Sequence, residues 1–367
     1  MIPIARPFIG DEEISAVNEV LKSGSLAQGP KVSELEKNFA EYCQTKYAIA
    51  VNSGTAAIHA ALFAAGVGPG DEVITTPFSF IATINPILMV GARPVLVDIE
   101  PGSFNLDVTK VEAAITAKTR AIIPVDLYGQ PVDYDELNKI AKNHNLKVIE
   151  DSCQSVGALY KNKKTGSIGN LGCFSLYATK NIMCAEGGIV TTNDEEYMKL
   201  IKSFRQHGMT ETYEYAYLGY NYRMSDLHAA IAVEQLKRAD EFNEKRRANA
   251  ARLSELLKDL RVVELPVTKP ERTHVFHQYT IKLAKNADKT RDELVSELRA
   301  REIGAGVYYP KPLHYYPHIA QLGYEKGDFP IAEDVAARVL SLPIHPAVNE
   351  KEIEFMAEVM QNVLGGE

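Results

Sequence analysis

Tryptophan is absent from the 367-residue chain, cysteine occurs four times, and no apolar run comes near the ~20 residues that a membrane-spanning helix needs. Cys43, Cys153, Cys173 and Cys184 form no CxxC pair, which excludes a disulfide framework and a zinc ribbon. They read as small buried residues in a reducing compartment. Positive charge is also in deficit: 40 Lys and Arg against 48 Asp and Glu leave a net charge of -8. A nucleic-acid partner needs a basic surface, so that class is excluded. The basic cluster Lys245-Arg246-Arg247 sits among acids in a helical stretch and reads as a solvated helix face. The N-terminus meets Asp11, Glu12 and Glu13 before any apolar segment, so no signal peptide is expected and the cytoplasm is the expected compartment.

What is present is the balance of a globular protein, 46% hydrophobic and 24% charged. Such a length exceeds one core, and a large domain with a smaller companion is expected. Short β-rich runs alternate with helical patterns: Tyr47–Val51, Glu72–Thr75, Pro94–Asp98, Ala121–Val125, Lys147–Glu150, Cys173–Tyr177 and Gly188–Thr192. Helical candidates between them include Ala56–Ala65 and Tyr134–His144. This alternation predicts an α/β fold with a mainly parallel sheet sandwiched by helices, whose ligands bind at the carboxyl ends of the strands. A long connector helix is expected from Met224 to about Leu260. Beyond it, an extended run (Gln278–Leu283), a helix (Arg291–Arg301), another extended run (Ala305–Tyr309) and two closing helices make a small α+β unit. The expected division is 1–260 and 261–367.

Three segments at strand ends carry chemistry. Asn52-Ser53-Gly54-Thr55 lies between a strand and a helix, where free N–H groups bind phosphate; an ordinary N-cap is the alternative. Asp151, in Glu150-Asp151-Ser152-Cys153-Gln154, ends a strand and faces the crevice, where it can hold a protonated ring nitrogen, a cap or a metal. Lys180 follows the run Cys173–Tyr177 and precedes Glu186-Gly187-Gly188. Partial desolvation there lowers an ammonium pKa and makes the amine a nucleophile for carbonyls. Walker, G-x-G-x-x-G and G-x-S-x-G sequences are missing. His274 with His277, and His314 with His318, lack the Cys or carboxylate complement of a zinc site and read as solvated or hydrogen-bonding.

Together with Ser175 and Gly219-Tyr220-Asn221-Tyr222-Arg223-Met224, these blocks resemble the DegT/DnrJ/EryC1/StrS sugar aminotransferases, pyridoxal-phosphate (PLP) enzymes of the aspartate-aminotransferase fold, type I. The resemblance runs from Ser23-Gly24 to Tyr309-Pro310-Lys311-Pro312-Leu313-His314. It implies that Lys180 is the Schiff-base lysine and Asp151 the partner of the pyridine nitrogen. Gln154 then lies near the ring O3′, Phe80 stacks on the ring face unless it is a core residue, and Ser53, Gly54, Thr55 and Ser175 hold the phosphate. Asn221 reaches the phosphate from the neighbouring subunit of a homodimer. Arg223, Tyr309 and His314 match positions near the nucleotide-sugar, or are interface or surface residues. Family members that dehydrate carry histidine in place of the lysine, which disfavours that branch here. Tyr308 stands where histidine is often found in the 3-keto-sugar branch.

The activity implied is amino transfer from glutamate to a 3-keto or 4-keto nucleotide-linked sugar. A PLP-dependent lyase or desulfurase of the same fold is the alternative, with Cys184 as its only candidate thiol. A regulatory protein that binds PLP without turnover is the other.

Overall fold

Seven of the β-rich runs fold into one sheet. In the computed structural model, which describes residues 1–365, they are β1 (Tyr47–Val51), β2 (Glu72–Thr75), β3 (Arg93–Leu96), β4 (Thr119–Ile122), β5 (Lys147–Asp151), β6 (Leu171–Ser175) and β7 (Gly188–Thr192). Their order is β1-β7-β6-β5-β4-β2-β3. Neighbouring strands from β6 to β3 run parallel, and β7 is antiparallel to both its neighbours. Alternate side chains serve two cores, as burial on both faces requires. Ile49 and Val51 pack with the Ala-rich helix Gly54–Ala64, while Ala48 and Ala50 pack with helix Pro30–Cys43. On the other half of the sheet, Ile74, Ile122 and Val148 cover helix Tyr134–Asn143 through Leu137 and Ile140.

The expected connector helix is two helices, Asp226–Lys237 and Ala239–Leu257. They part at Arg238, which leaves helical geometry (φ -106°, ψ 4°). Its guanidinium lies over the rings of Phe8 (4.3 Å) and Phe242 (4.7 Å), which holds the break in place. Arg246 is not on a solvated face. It is buried and donates through Nη1 to the carbonyls of Phe276 (3.1 Å) and His277 (3.3 Å), while Lys245 and Arg247 pair with Glu241 and Glu244 on the exposed side.

A second, antiparallel sheet has Tyr279–Leu283 between Val263–Glu264 and Val339–Leu342. Helices Arg291–Ala300 and Glu350–Leu364 close its core, to which Ile2 also belongs. The run Ala305–Tyr309 forms no strand; it meets the sheet only through Gly306 opposite Ser341. Residues of 313–339 instead pack on Phe78, Ile84 and Tyr128, so this part of the chain reaches the loops at the carboxyl ends of the large sheet. The last two residues of the expected 261–367 unit lie outside the described ones. Among the described residues no helix is long and apolar enough to cross a membrane.

Candidate active site

The reversal of β7 brings its first residue beside the last residues of β1 and β6, since Gly188 pairs with both Val51 and Ser175. Three strand termini therefore meet at one point. Ser53 caps helix Gly54–Ala64 by accepting from the N–H of Ala56 (3.1 Å), which leaves the first N–H groups of the helix without intrahelical acceptors. Glycine is required twice here. A Cβ on Gly54 would lie 2.8 Å from Cβ of Ser175 and 3.0 Å from Sγ of Cys153, and a Cβ on Gly188 would collide with the carbonyl of Ser53. Ser175, at the end of β6, accepts from the N–H of Tyr177 (3.3 Å), so its hydroxyl proton remains available to an acceptor.

Asp151 ends β5 and is buried. Its Oδ2 accepts from the hydroxyl of Thr83 (2.7 Å) and its Oδ1 from the N–H of Cys153 (3.3 Å). Gln154 accepts from the N–H of Tyr128 (2.9 Å) and donates to the hydroxyl of Tyr309 (3.4 Å). Phe80 is not a core residue: it is 55% exposed, with its ring 6.1 Å from that of Tyr309. Leu313 donates to the carbonyl of Pro77 (2.7 Å), binding the segment of Tyr309 and His314 to that of Phe80.

Lys180 is partly buried, and burial lowers its ammonium below the ordinary lysine range while Cys153 and Asp151 oppose that shift. Asn181 anchors the loop. Its Nδ2 donates to Asn243 (2.9 Å) and to the carbonyl of Val275 (3.0 Å), and its Oδ1 lies 3.3 Å from Nδ1 of the buried His277. The geometry thus brings Ser53, Gly54, Ser175, Asp151 and Lys180 to the carboxyl ends of the strands, with Gln154, Phe80 and Tyr309 beside them.

Other expected site residues stand apart in kind. Asn221 is exposed, and its carbonyl accepts from Asn52 (3.3 Å). Arg223 is half-buried and has no ion pair among the described residues. His314 is buried with Nε2 3.0 Å from Oε1 of Glu333, so its ring faces protein. The reading of all four cysteines as buried fails at Cys153, which is partly exposed beside Gly54. Cys184 is fully buried, its Sγ 3.3 Å from the carbonyl of Glu186. Thr83, Ser79, Tyr128 and Asn181 belong to the surroundings of the site and carried no motif of their own, while His277, expected with His274 to be solvated or hydrogen-bonding, is buried and hydrogen-bonding. The nearest signal was that Ser79 and Thr83 flank Phe80.

These residues fit a phosphate-bearing aromatic aldehyde. The cradle at Gly54 admits no side chain, helix N–H groups and a free hydroxyl line it, and a desolvated amine and an oriented carboxylate stand alongside. A family model described as the DegT/DnrJ/EryC1/StrS aminotransferase family matches residues 7–361. A pleiotropic regulatory protein of Geobacillus stearothermophilus is 44% identical over 351 residues, covering 95% of this chain and 93% of that one. GDP-perosamine synthase of Caulobacter vibrioides is 40% identical over 368 residues, covering 99% and 98%. The X-ray structure of S. venezuelae DesV in complex with a ketimine intermediate superposes with a TM-score of 0.92 at 37% identity, covering 96% and 94%.

Proposed function

The chain belongs to the DegT/DnrJ/EryC1/StrS aminotransferase family, and from that premise we propose that it moves the amino group of glutamate, through PLP, onto the 3- or 4-keto carbon of a nucleotide-linked sugar. The observation that carries this reading is the half-buried Lys180 amine beside Asp151 and the Gly54 cradle. When bound, PLP supplies the electron sink that lets the amino group pass from donor to acceptor. Lys180 would hold the cofactor through its amine and carry the proton to and from the substrate carbon. The N–H groups of Gly54 and Thr55, with Ser53 and Ser175, would hold the phosphate. Asp151 would keep the ring nitrogen protonated, Gln154 would hold the ring hydroxyl, and Phe80 would cover one face.

The partner subunit of a homodimer supplies Asn221 to the phosphate. Support comes from the stretch before Asn221, where Tyr213 is 79% and Leu218 81% exposed, apolar surface suited to a second copy. Arg223 pairs with the sugar diphosphate, Tyr309 meets the substrate, and His314 acts from behind by holding Leu313–Tyr315 against Glu333. The unit 261–367 closes over the sugar, in the cytoplasm.

Incubating the PLP-loaded protein with glutamate and a panel of 3-keto and 4-keto nucleotide sugars tests the function. An aminated product by mass, with 2-oxoglutarate released, is expected. Sulfide release from cysteine, or no turnover of glutamate, would overturn it.

A pH dependence follows from the half-buried amine. Only neutral Lys180 attacks the aldehyde, and its neutral fraction rises with pH. Because burial lowers its pKa, PLP uptake by the apoprotein should speed up with pH and reach half-maximum below the free-lysine value of about 10.4. Stopped-flow absorbance measures it, and a midpoint at or above that value contradicts the expectation.

A further inference from the structure

We propose that Ser79 and Thr83 are positioning residues: a buried hydroxyl relay that aims the Asp151 carboxylate at the cofactor ring and fixes Phe80 over the same ring. The inference rests on the reading of Asp151 given above.

Ser79, Thr83 and Asp151 are 2%, 1% and 4% exposed, so water does not compete for their hydrogen bonds. The proton directions follow from chemistry. A carboxylate only accepts, so Thr83 donates its single hydroxyl proton to Oδ2 of Asp151 (2.7 Å). The Thr83 oxygen then accepts from the hydroxyl of Ser79 (2.8 Å), whose donor role is thereby assigned. With the N–H of Cys153 on Oδ1, both oxygens of the carboxylate are held, and rotation about its Cβ–Cγ bond would break one of these bonds.

The same threonine has a second grip. Its backbone N–H donates to the carbonyl of Phe80 (3.0 Å), closing the one-turn helix Ile81–Thr83 directly behind the exposed aromatic. Side chain and backbone of Thr83 therefore tie the group facing the ring edge to the group facing the ring plane. A hydrogen bond to a charged acceptor in a dry site is among the strong ones, and its loss lets the carboxylate turn away.

The test compares Thr83→Val, which keeps the volume and deletes the hydroxyl, with Thr83→Ser, Ser79→Ala and Asp151→Asn in the PLP-loaded protein. Stopped-flow spectroscopy of the glutamate half-reaction separates maximal rate from glutamate affinity, and a pH titration of the visible cofactor band gives its midpoint. For Thr83→Val the maximal rate should fall about 10- to 100-fold, with glutamate affinity within about 3-fold and the band midpoint displaced. Thr83→Ser should recover the rate to within about 3-fold, and Ser79→Ala should fall between. A Thr83→Val holoenzyme with parental rate and midpoint overturns the relay; should that variant fail to fold, an unchanged rate and midpoint in Ser79→Ala does so. A slow Asp151→Asn beside a normal Thr83→Val sinks the relay alone, whereas a normal Asp151→Asn sinks the reading on which it rests.

Discussion

Replacing Lys180 with alanine should reduce transamination by at least about four orders of magnitude, because in the proposed role the change removes both the attachment point of the cofactor and the proton carrier. The fold should survive. The loop geometry is set elsewhere, by the backbone N–H of Lys180 on the carbonyl of Tyr177 (2.9 Å) and by the bonds of Asn181. Thermal unfolding of the variant is accordingly expected to stay near that of the parent. Borohydride reduction followed by peptide mass mapping provides the second measurement: the parent should gain a cofactor mass at Lys180 and the variant none. Lys180→Arg separates charge from nucleophilicity, since a guanidinium remains protonated. It should be as inactive as the alanine variant. Full turnover by Lys180→Ala would remove this residue from the mechanism.

The largest stability effect is expected from Asp126→Ala. Asp126 is fully buried, and burial pushes its carboxyl up to about 6 against the pull of its donors. Oδ1 accepts from the N–H of Val132 (3.1 Å) and the hydroxyl of Tyr134 (2.9 Å); Oδ2 accepts from the hydroxyls of Ser152 (2.8 Å) and Ser155 (3.0 Å). Those serines bracket the turn that carries Gln154, three residues past Asp151. Deleting the carboxylate strands several buried donors, and each costs on the order of 1–3 kcal/mol. Some hydroxyls recover, as Ser155 already reaches the carbonyl of Ser152 (3.3 Å). A net loss of about 3–5 kcal/mol remains, comparable with breaking a buried charged network. Chemical denaturation should show that loss, and cofactor affinity should fall with it because the turn next to Asp151 loosens. A change below about 1 kcal/mol would mean that the donors find other acceptors.

How much of this was written in the sequence depends on which residues carry a local signature. Tyr47–Val51, Glu72–Thr75 and Gly188–Thr192 were legible to the residue, because each is a short apolar run ended by a polar turn. So was the fold class that the solved relatives share. The strand Val339–Leu342 was not, because it begins directly at the end of helix Pro330–Arg338 with no turn residue between them. The break at Arg238 was hidden as well, since arginine is a good helix former and only the rings of Phe8 and Phe242 reveal why it stops one there. Candidate site residues emerged where chemistry and spacing coincide, as at Lys180 and Asp151. Thr83 and Asp126 act through partners distant in sequence, and nothing in their own surroundings announces this. Arg246 misled for the opposite reason: its neighbours are solvated, and its burial depends on carbonyls about thirty residues away.

The antiparallel β7 also bears on how the protein is made. The turn Asn52-Ser53-Gly54-Thr55 hangs from β1, an edge strand whose only neighbour among the described strands of the sheet is β7. During synthesis β1 leaves the ribosome early but has no strand to pair with until Gly188–Thr192 has emerged, so closing that pairing pays for a very long loop and comes late. The nascent chain therefore carries the turn and its helix without the cradle they belong to until Thr192 of the 367 residues has been added. The place where the ends of β1, β6 and β7 meet thus comes into being only when Gly188 lies beside both Val51 and Ser175.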